Sequence, residues 1–242
     1  MTASASLWFV VPAWRRVELA RICLGHLADV CDKLAARGID AAAVVIADDE
    51  NLDTARELGF GTVERDNESL GRKFNDGFQF AAAEGVDYVV PFGTDNLIDE
   101  ALIQIPTRGT IRSHRLASIV REDGKRIAHI RVPYEGGDGI RIIPTAMLAP
   151  LGYRPAAEEQ RRAVDASIRD RLRRTMKAPQ LRFEYHDLRP EQIVGFQSPD
   201  VQLTQYEPLV RHYGIAEMAR PFGRLRSYYP APVVDAVAAL YQ

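Results

Sequence analysis

The chain is short of several things, and each shortage narrows the field. Only 2 of its 242 residues are cysteine. Cys23 and Cys31 fall in one helical pattern, about 12 Å apart at the ~1.5 Å helical rise. That exceeds the ~7 Å that a disulfide spans between Cα atoms, so no disulfide joins them. Two unpaired thiols suit a reducing compartment, and a cytoplasmic location is expected. No apolar run approaches the ~18 residues of a membrane-spanning helix. The N-terminal LWFVVPAW has no preceding positive charge and reads as a first strand rather than a signal peptide. Neither sign of charge dominates: 31 basic and 33 acidic residues give a net −2, which argues against a generic polyanion binder. Internal repeats, low-complexity tracts and flexible linkers are missing. The histidines, His26, His114, His129, His186 and His212, show no metal-ligand spacing. The Gly-rich stretch Glu135 to Gly139 lacks the Gly-Lys-Ser/Thr ending of a phosphate-cradling P-loop, and reads as a lid loop or a simple turn.

What is present is a 46% hydrophobic composition, enough for one substantial core. Leu7 to Val11 is a buried-strand run stopped by Pro12. A helix over Arg15 to Arg37 is closed by Gly38. Ala41 to Ala47 is a second strand, followed by a short helix over Leu52 to Leu58 and a third strand at Gly61 to Glu64. A helix over Leu70 to Glu84 leads to a fourth strand, Asp87 to Phe92. Strands alternating with helices at this spacing predict a mainly parallel sheet. In such sheets ligands sit beyond the carboxyl ends of the strands. Here the second strand ends at Asp48-Asp49 and the fourth runs into Asp95, so one rim is acidic.

Beyond Glu100, alternation over Thr110 to Ile119 and Lys125 to Val132 predicts strands joined by a hairpin at Glu122-Asp123-Gly124. Ile140 to Ile143 is a further strand. Glu158 to Met176 is a helix with a stripe at Val164, Ile168, Leu172 and Met176. Leu181 to Tyr185 is a strand, and the tail from about Tyr206 carries one or two helices. The expected organisation is a main domain over residues 1–185 and a C-terminal extension over 186–242 packed on it.

Four segments, in order, resemble family-2-like glycosyltransferases of the GT-A fold. They are Val10-Val11-Pro12-Ala13-Trp14, Ala47 through Asp53, Leu70 through Gly77, and Tyr88 through Asn96. The likeness covers roughly residues 7–175. It implies an α/β, GT-A-like (nucleotide-diphospho-sugar transferase) Rossmann-like three-layer fold with a mainly parallel central sheet. It also implies transfer of a sugar from a nucleotide-diphosphate donor to an acceptor hydroxyl. Pro12, Ala13, Trp14, Asp48, Asp49, Lys73, Asn75, Thr94 and Asp95 would then line the donor, with Asp53 and Arg72 as weaker candidates.

A carboxylate at the second strand end can accept from the base or ribose, although Asp48-Asp49 also suits the cap of the next helix. The leaving diphosphate needs positive charge. By the resemblance Asp95 would ligate a divalent cation, Mn or Mg, with His186 as a late ligand. The pattern departs here: Gly93, Asp95 and Asn96 stand where the family shows two or three acidic residues. Asp165, within Gly152 to Arg169, matches the position of the family's catalytic base, which an inverting enzyme needs to take the acceptor proton. Its structural alternative is an ion pair with Arg161 or Arg169.

The acceptor is open among virion protein, glycan and a hydroxylated DNA base. The arginine-rich stretch Arg161 to Lys177 is either a phosphate-tracking patch or a solvated helix face. Compact relatives of this type suggest a phage-encoded enzyme working in a host cytoplasm. The competing classes are a nucleotidyltransferase of similar fold and a non-catalytic nucleotide-sugar or carbohydrate-binding module.

Overall fold

The computed structural model describes residues 5–107, 109–114, 116–131, 140–160, 164–176, 181–186, 189–197 and 216–242. The side chains at 116, 117, 130, 131, 165, 185, 186 and 216 lie outside that description. The chain is an α/β protein with a mostly parallel central sheet. Among the described residues, twelve strands form two sheets. β1 (Ala5–Pro12), β2 (Ile39–Ala47), β3 (Gly61–Glu64) and β4 (Tyr88–Pro91) belong to the larger sheet. So do β6 (Thr110–His114), β9 (Arg141–Pro144) and β10 (Arg182–His186). Their order is β10-β6-β9-β4-β1-β2-β3, with β9 alone antiparallel to its neighbours. The smaller sheet contains β5 (Asn96–Ile98), β7 (Leu116–Val120), β8 (Arg126–Arg131), β11 (Ile193–Phe196) and β12 (Ala216–Ala219), in the order β12-β8-β7-β11-β5.

Helices cover both faces of the large sheet because β1 and β2 are apolar on both sides, as central parallel strands must be. α1 (Val17–Ala36) and α2 (Asn51–Glu57) lie against Leu7, Phe9, Val11, Ala43 and Val45. α3 (Leu70–Ala83) covers Val10, Val44 and Ile46 from the opposite side, and α4 (Val164–Thr175) adds Val164, Ile168 and Leu172 to the same cluster. Gly77 lets α3 sit close: a Cβ there would come within 2.4 Å of Val10 Cγ1 and 2.7 Å of Ile46 Cδ1. The first two turns of α1 join the two sheets. Leu19 and Cys23 share a cluster with Leu97, Val120 and Phe196 of the small sheet. Leu225 of α5 (Pro221–Leu225) and Val234 and Val237 of α6 (Ala231–Ala239) complete that cluster. Cys23 and Cys31 are buried and unbonded.

Two expectations need correction. The alternating stretch Thr110 to Ile119 is two strands, β6 in the large sheet and β7 in the small one; a period-two pattern runs unbroken through a change of sheet. The helix expected from Glu158 does not include residues 158–160, and its described span is Val164–Thr175. Its intended first turn is engaged elsewhere, since Ser69 Oγ donates to the Glu158 carbonyl and the Gly71 N–H to the Gln160 carbonyl at 3.1 Å. β5, β11 and β12, at three or four residues, are too short for periodicity to reveal. The hairpin through Asp123-Gly124 forms as expected, pairing β7 with β8. The Gly-rich stretch 135–139 lies outside the described residues.

Candidate functional site

β1, β2 and β4 run parallel, so their carboxyl ends open on one rim. The chain crosses that rim in the loop Ala13 to Arg16, and three fastenings hold it there. Ala13 N–H donates to the Ile46 carbonyl at 2.9 Å. Lys73 Nζ donates to the Ala13 carbonyl at 2.7 Å. Arg15 N–H donates to Asp49 Oδ2 at 2.8 Å. These bonds sustain an unusual backbone: Arg15 and Arg16 are both left-handed, at φ 52° and 46°. Such a conformation costs a non-glycine residue of order 1 kcal/mol or more, so the surroundings must impose it.

The two strand-end aspartates do different things. Asp49 is committed to structure, with Oδ1 accepting from Asn51 N–H at 3.1 Å and from Asn51 Nδ2 at 2.7 Å. Asn51 also donates to the Arg15 carbonyl at 3.2 Å, so it ties α2 to the loop. Asp48 is exposed at the strand end. Trp14 is exposed, with the Arg15 guanidinium stacked 4.5 Å from its ring centroid. Pro12, Ala13 and Thr94 are buried.

Lys73 is among the largest fully buried side chains. Burial pushes its pKa down, while the charges of Asp48, Asp49 and Asp66 pull it back up. Its ammonium therefore sits beneath the loop rather than in solvent. Arg72, by contrast, points outward to Glu68 at 3.6 Å. Asn75 is also fully buried, and both ends of its amide are taken. Nδ2 donates to the Ala156 carbonyl at 3.1 Å, and Oδ1 accepts from Ala156 N–H at 2.9 Å. It fastens α3 to the segment before α4 and has no surface exposed to a ligand. Asp53 pairs with Arg56 on the surface at 2.8 Å.

At the β4 end, Asp95 faces Arg16. Arg16 Nη1 lies 3.1 Å from Asp95 Oδ2 and 3.4 Å from the Phe196 carbonyl. Oδ1 lies over Gly93, where a Cβ would come within 2.6 Å of it. Cys23 lies nearby, and burial first, then the Asp95 charge, raise its thiol well above the ordinary value.

A divalent cation fits this turn poorly. Among the described residues no three His, Cys, Asp or Glu side chains gather as a metal site. One Asp95 oxygen is already paired with a guanidinium, and a side chain at position 93 would have to displace the other, 2.6 Å from its Cβ. His186 ends β10, whose strand lies three places from β4, roughly 14 Å by the usual strand spacing. Its side chain, like that of Asp165, is outside the described part. The α4 backbone places Asp165 in the first turn of that helix, on the α3 side of the sheet.

Sequence reasoning passed over Arg16 and Asn51. The Arg15-Arg16 pair directly after a strand-end loop was the available signal. The partner that gives Arg16 its meaning is 79 residues away.

No family model matches the chain, and neither does any curated protein sequence. Among solved structures it is similar to a Drosophila galactosyltransferase mutant in complex with manganese, UDP-Gal and xylobiose. That match has 14% identity and a TM-score of 0.49, covering 84% of this chain and 73% of that one. It is similar to a glycosyltransferase involved in glycosylation of the major capsid of PBCV-1, with 9% identity and a TM-score of 0.47. The shares covered are 86% and 98%. It is also similar to a cytidylyltransferase from Leptospira borgpetersenii, with 12% identity, a TM-score of 0.47 and 78% of each chain covered. The activities named for these three differ, so the chemistry of the rim rests on its own residues.

Proposed function

We propose that the rim binds a nucleotide-diphosphate sugar and that the chain transfers its sugar to an acceptor hydroxyl. One observation carries this reading: three strand ends and a buried lysine converge on the single loop Ala13 to Arg16. A loop held in strained backbone by Ile46, Lys73, Asp49 and Asn51 suits a ligand-positioning element, since strain persists where the surroundings over-determine it.

Within this reading Asp48, the strand-end carboxylate left exposed, accepts from the base or ribose. Trp14 offers an apolar ring to the nucleoside, and Thr94 lines the turn. Asp49 and Asn75 act indirectly, one by fixing the loop and the other by fixing the approach to α4. Asp165 takes the acceptor proton. The acceptor oxygen forms a bond to the anomeric carbon as the bond from that carbon to the diphosphate oxygen breaks. The electron pair stays on the diphosphate, and the acceptor proton passes to the Asp165 carboxylate. Placement of Asp165 draws support from two ties: Asn75 of α3 to Ala156 in the chain before α4, and Ala157 N–H to Ser167 Oγ of α4 at 3.1 Å. The acceptor class remains protein, glycan or hydroxylated DNA base. No helix among the described residues is long and apolar enough to cross a membrane.

Thermal unfolding with UDP-, GDP- and TDP-sugars tests the reading. At least one should raise the midpoint, because a ligand at about 100 times its Kd adds about 2.7 kcal/mol. Asp48→Asn should shrink that rise while leaving the ligand-free midpoint unchanged. Absence of a shift with every donor contradicts the proposal.

A further inference from the structure

The turn after β4 departs from a metal site in a specific way, and the departures form a set. Gly93 does not merely lack a carboxylate. Any side chain there would meet Asp95 Oδ1 at 2.6 Å and Asn96 Nδ2 at 2.9 Å. A second acid at 93 would therefore require the Asp95 and Asn96 side chains to move from their observed positions. Asp95 is turned instead toward Arg16, which has 17% of its side chain exposed against 23% for Asp95. The hydrogen bonds of Arg16 use Nη1 alone. Nη2 and Nε carry no hydrogen bond among the described residues, yet neither is sealed from solvent. The guanidinium thus keeps a planar pair of donors available, the geometry that suits a phosphate. Behind the same loop, the buried Lys73 adds positive charge through the Ala13 carbonyl it supports.

We propose that Arg16 supplies the positive charge opposite the donor's diphosphate, with Asp95 as the carboxylate that positions it rather than as a metal ligand. This rests on the donor-site reading above. When the anomeric C–O bond breaks, the electron pair remains on the leaving diphosphate, whose charge becomes more negative. The Arg16 N–H groups are fixed donors for that charge and need no reorganisation during the step. Asp95 acts through Arg16: it holds the side chain by Nη1 and leaves Nε and Nη2 without a hydrogen bond among the described residues.

Calorimetric titration of the full chain with UDP, GDP and TDP tests this, run in EDTA and again in millimolar MnCl2. At least one diphosphate should bind with an affinity that changes no more than about twofold between the two buffers. Arg16→Gly should weaken it about tenfold or more, the scale of a lost charge-assisted bidentate contact. Glycine takes φ 46° without strain, so this variant should unfold no earlier than wild type, which separates lost binding from lost folding. Arg16→Lys, keeping the charge but not the fork, should fall between the two. Asp95→Asn should weaken binding in the wild-type background and have little further effect in Arg16→Gly, the non-additivity expected of a residue acting through another. Binding that requires Mn²⁺, is lost in Asp95→Asn and survives in Arg16→Gly overturns the inference alone. Absence of binding in both buffers overturns the donor reading as well.

Discussion

At the residue scale, the loop beside the rim concentrates charges that burial and geometry hold in place. Lys73 is the clearest case. Its folded-state pKa lies below the ordinary 10.5, with burial as the main cause. Between those two values the unfolded chain binds more protons than the folded one, so stability rises with pH through that window. Comparing wild type with Lys73→Met by chemical denaturation, the difference should move in favour of wild type as pH rises from neutral towards 10.5. A pH-independent difference would mean that the ammonium is solvated after all. Asp48, Asp49 and Asp95 were legible in the sequence because each follows an apolar run that could only be a buried strand. Their division of labour was not. That Asp49 is occupied by Arg15 and Asn51, that Asp95 faces Arg16, and that the Asn75 amide is used up by Ala156 are tertiary facts.

At the element scale, α3 fixes most of the rim's geometry. Its N-terminus is capped by Ser69, whose Oγ accepts from Arg72 N–H at 3.2 Å. Gly71 then brings the helix against the segment before α4: a Cβ there would lie 1.9 Å from the Ala157 carbonyl oxygen. Gly71→Ala gains up to ~1 kcal/mol of helix propensity. It should nonetheless destabilise the protein by about 2 kcal/mol overall, because the obstacle is backbone. Urea unfolding measures this, and a variant as stable as wild type would show that the contact is loose. The glycine and asparagine of this stretch were visible in the sequence, but as parts of a ligand-binding pattern. In the structure Gly71, Gly77 and Asn75 serve close packing and fastening, which bring Lys73 under the loop. The elements read well from the sequence were apolar runs, as in β1, β2, β4 and β9, and stretches with a period, as in α1, α3 and the hairpin of β7 and β8. The split between β6 and β7 escaped because alternation does not change when a chain leaves one sheet for another.

At the scale of the whole molecule, the site stands where two sheets meet. β4 belongs to the large sheet and β5, four residues further on, to the small one, with Asp95 in the turn between them. The C-terminal helices close that junction from behind. Tyr229 Oη bonds to the carbonyls of Glu191 at 3.0 Å and Leu97 at 3.3 Å, and its ring meets that of His26 edge-on at 5.4 Å. His26 in turn donates to the Ile98 carbonyl at 2.9 Å, so α1, β5 and the C-terminal region are locked together. The position of Arg16 relative to Asp95 thus depends on residues drawn from the whole length of the chain. The most direct measurement of what this assembly does is the identity of the released phosphate product. The protein would be incubated with sugar nucleotides and, separately, with nucleoside triphosphates plus sugar phosphates, and the products resolved by ion-exchange chromatography. Release of a nucleoside diphosphate from a sugar nucleotide, reduced in Asp165→Asn, is the expected result. Release of pyrophosphate from a triphosphate, with every sugar nucleotide left intact, would contradict it.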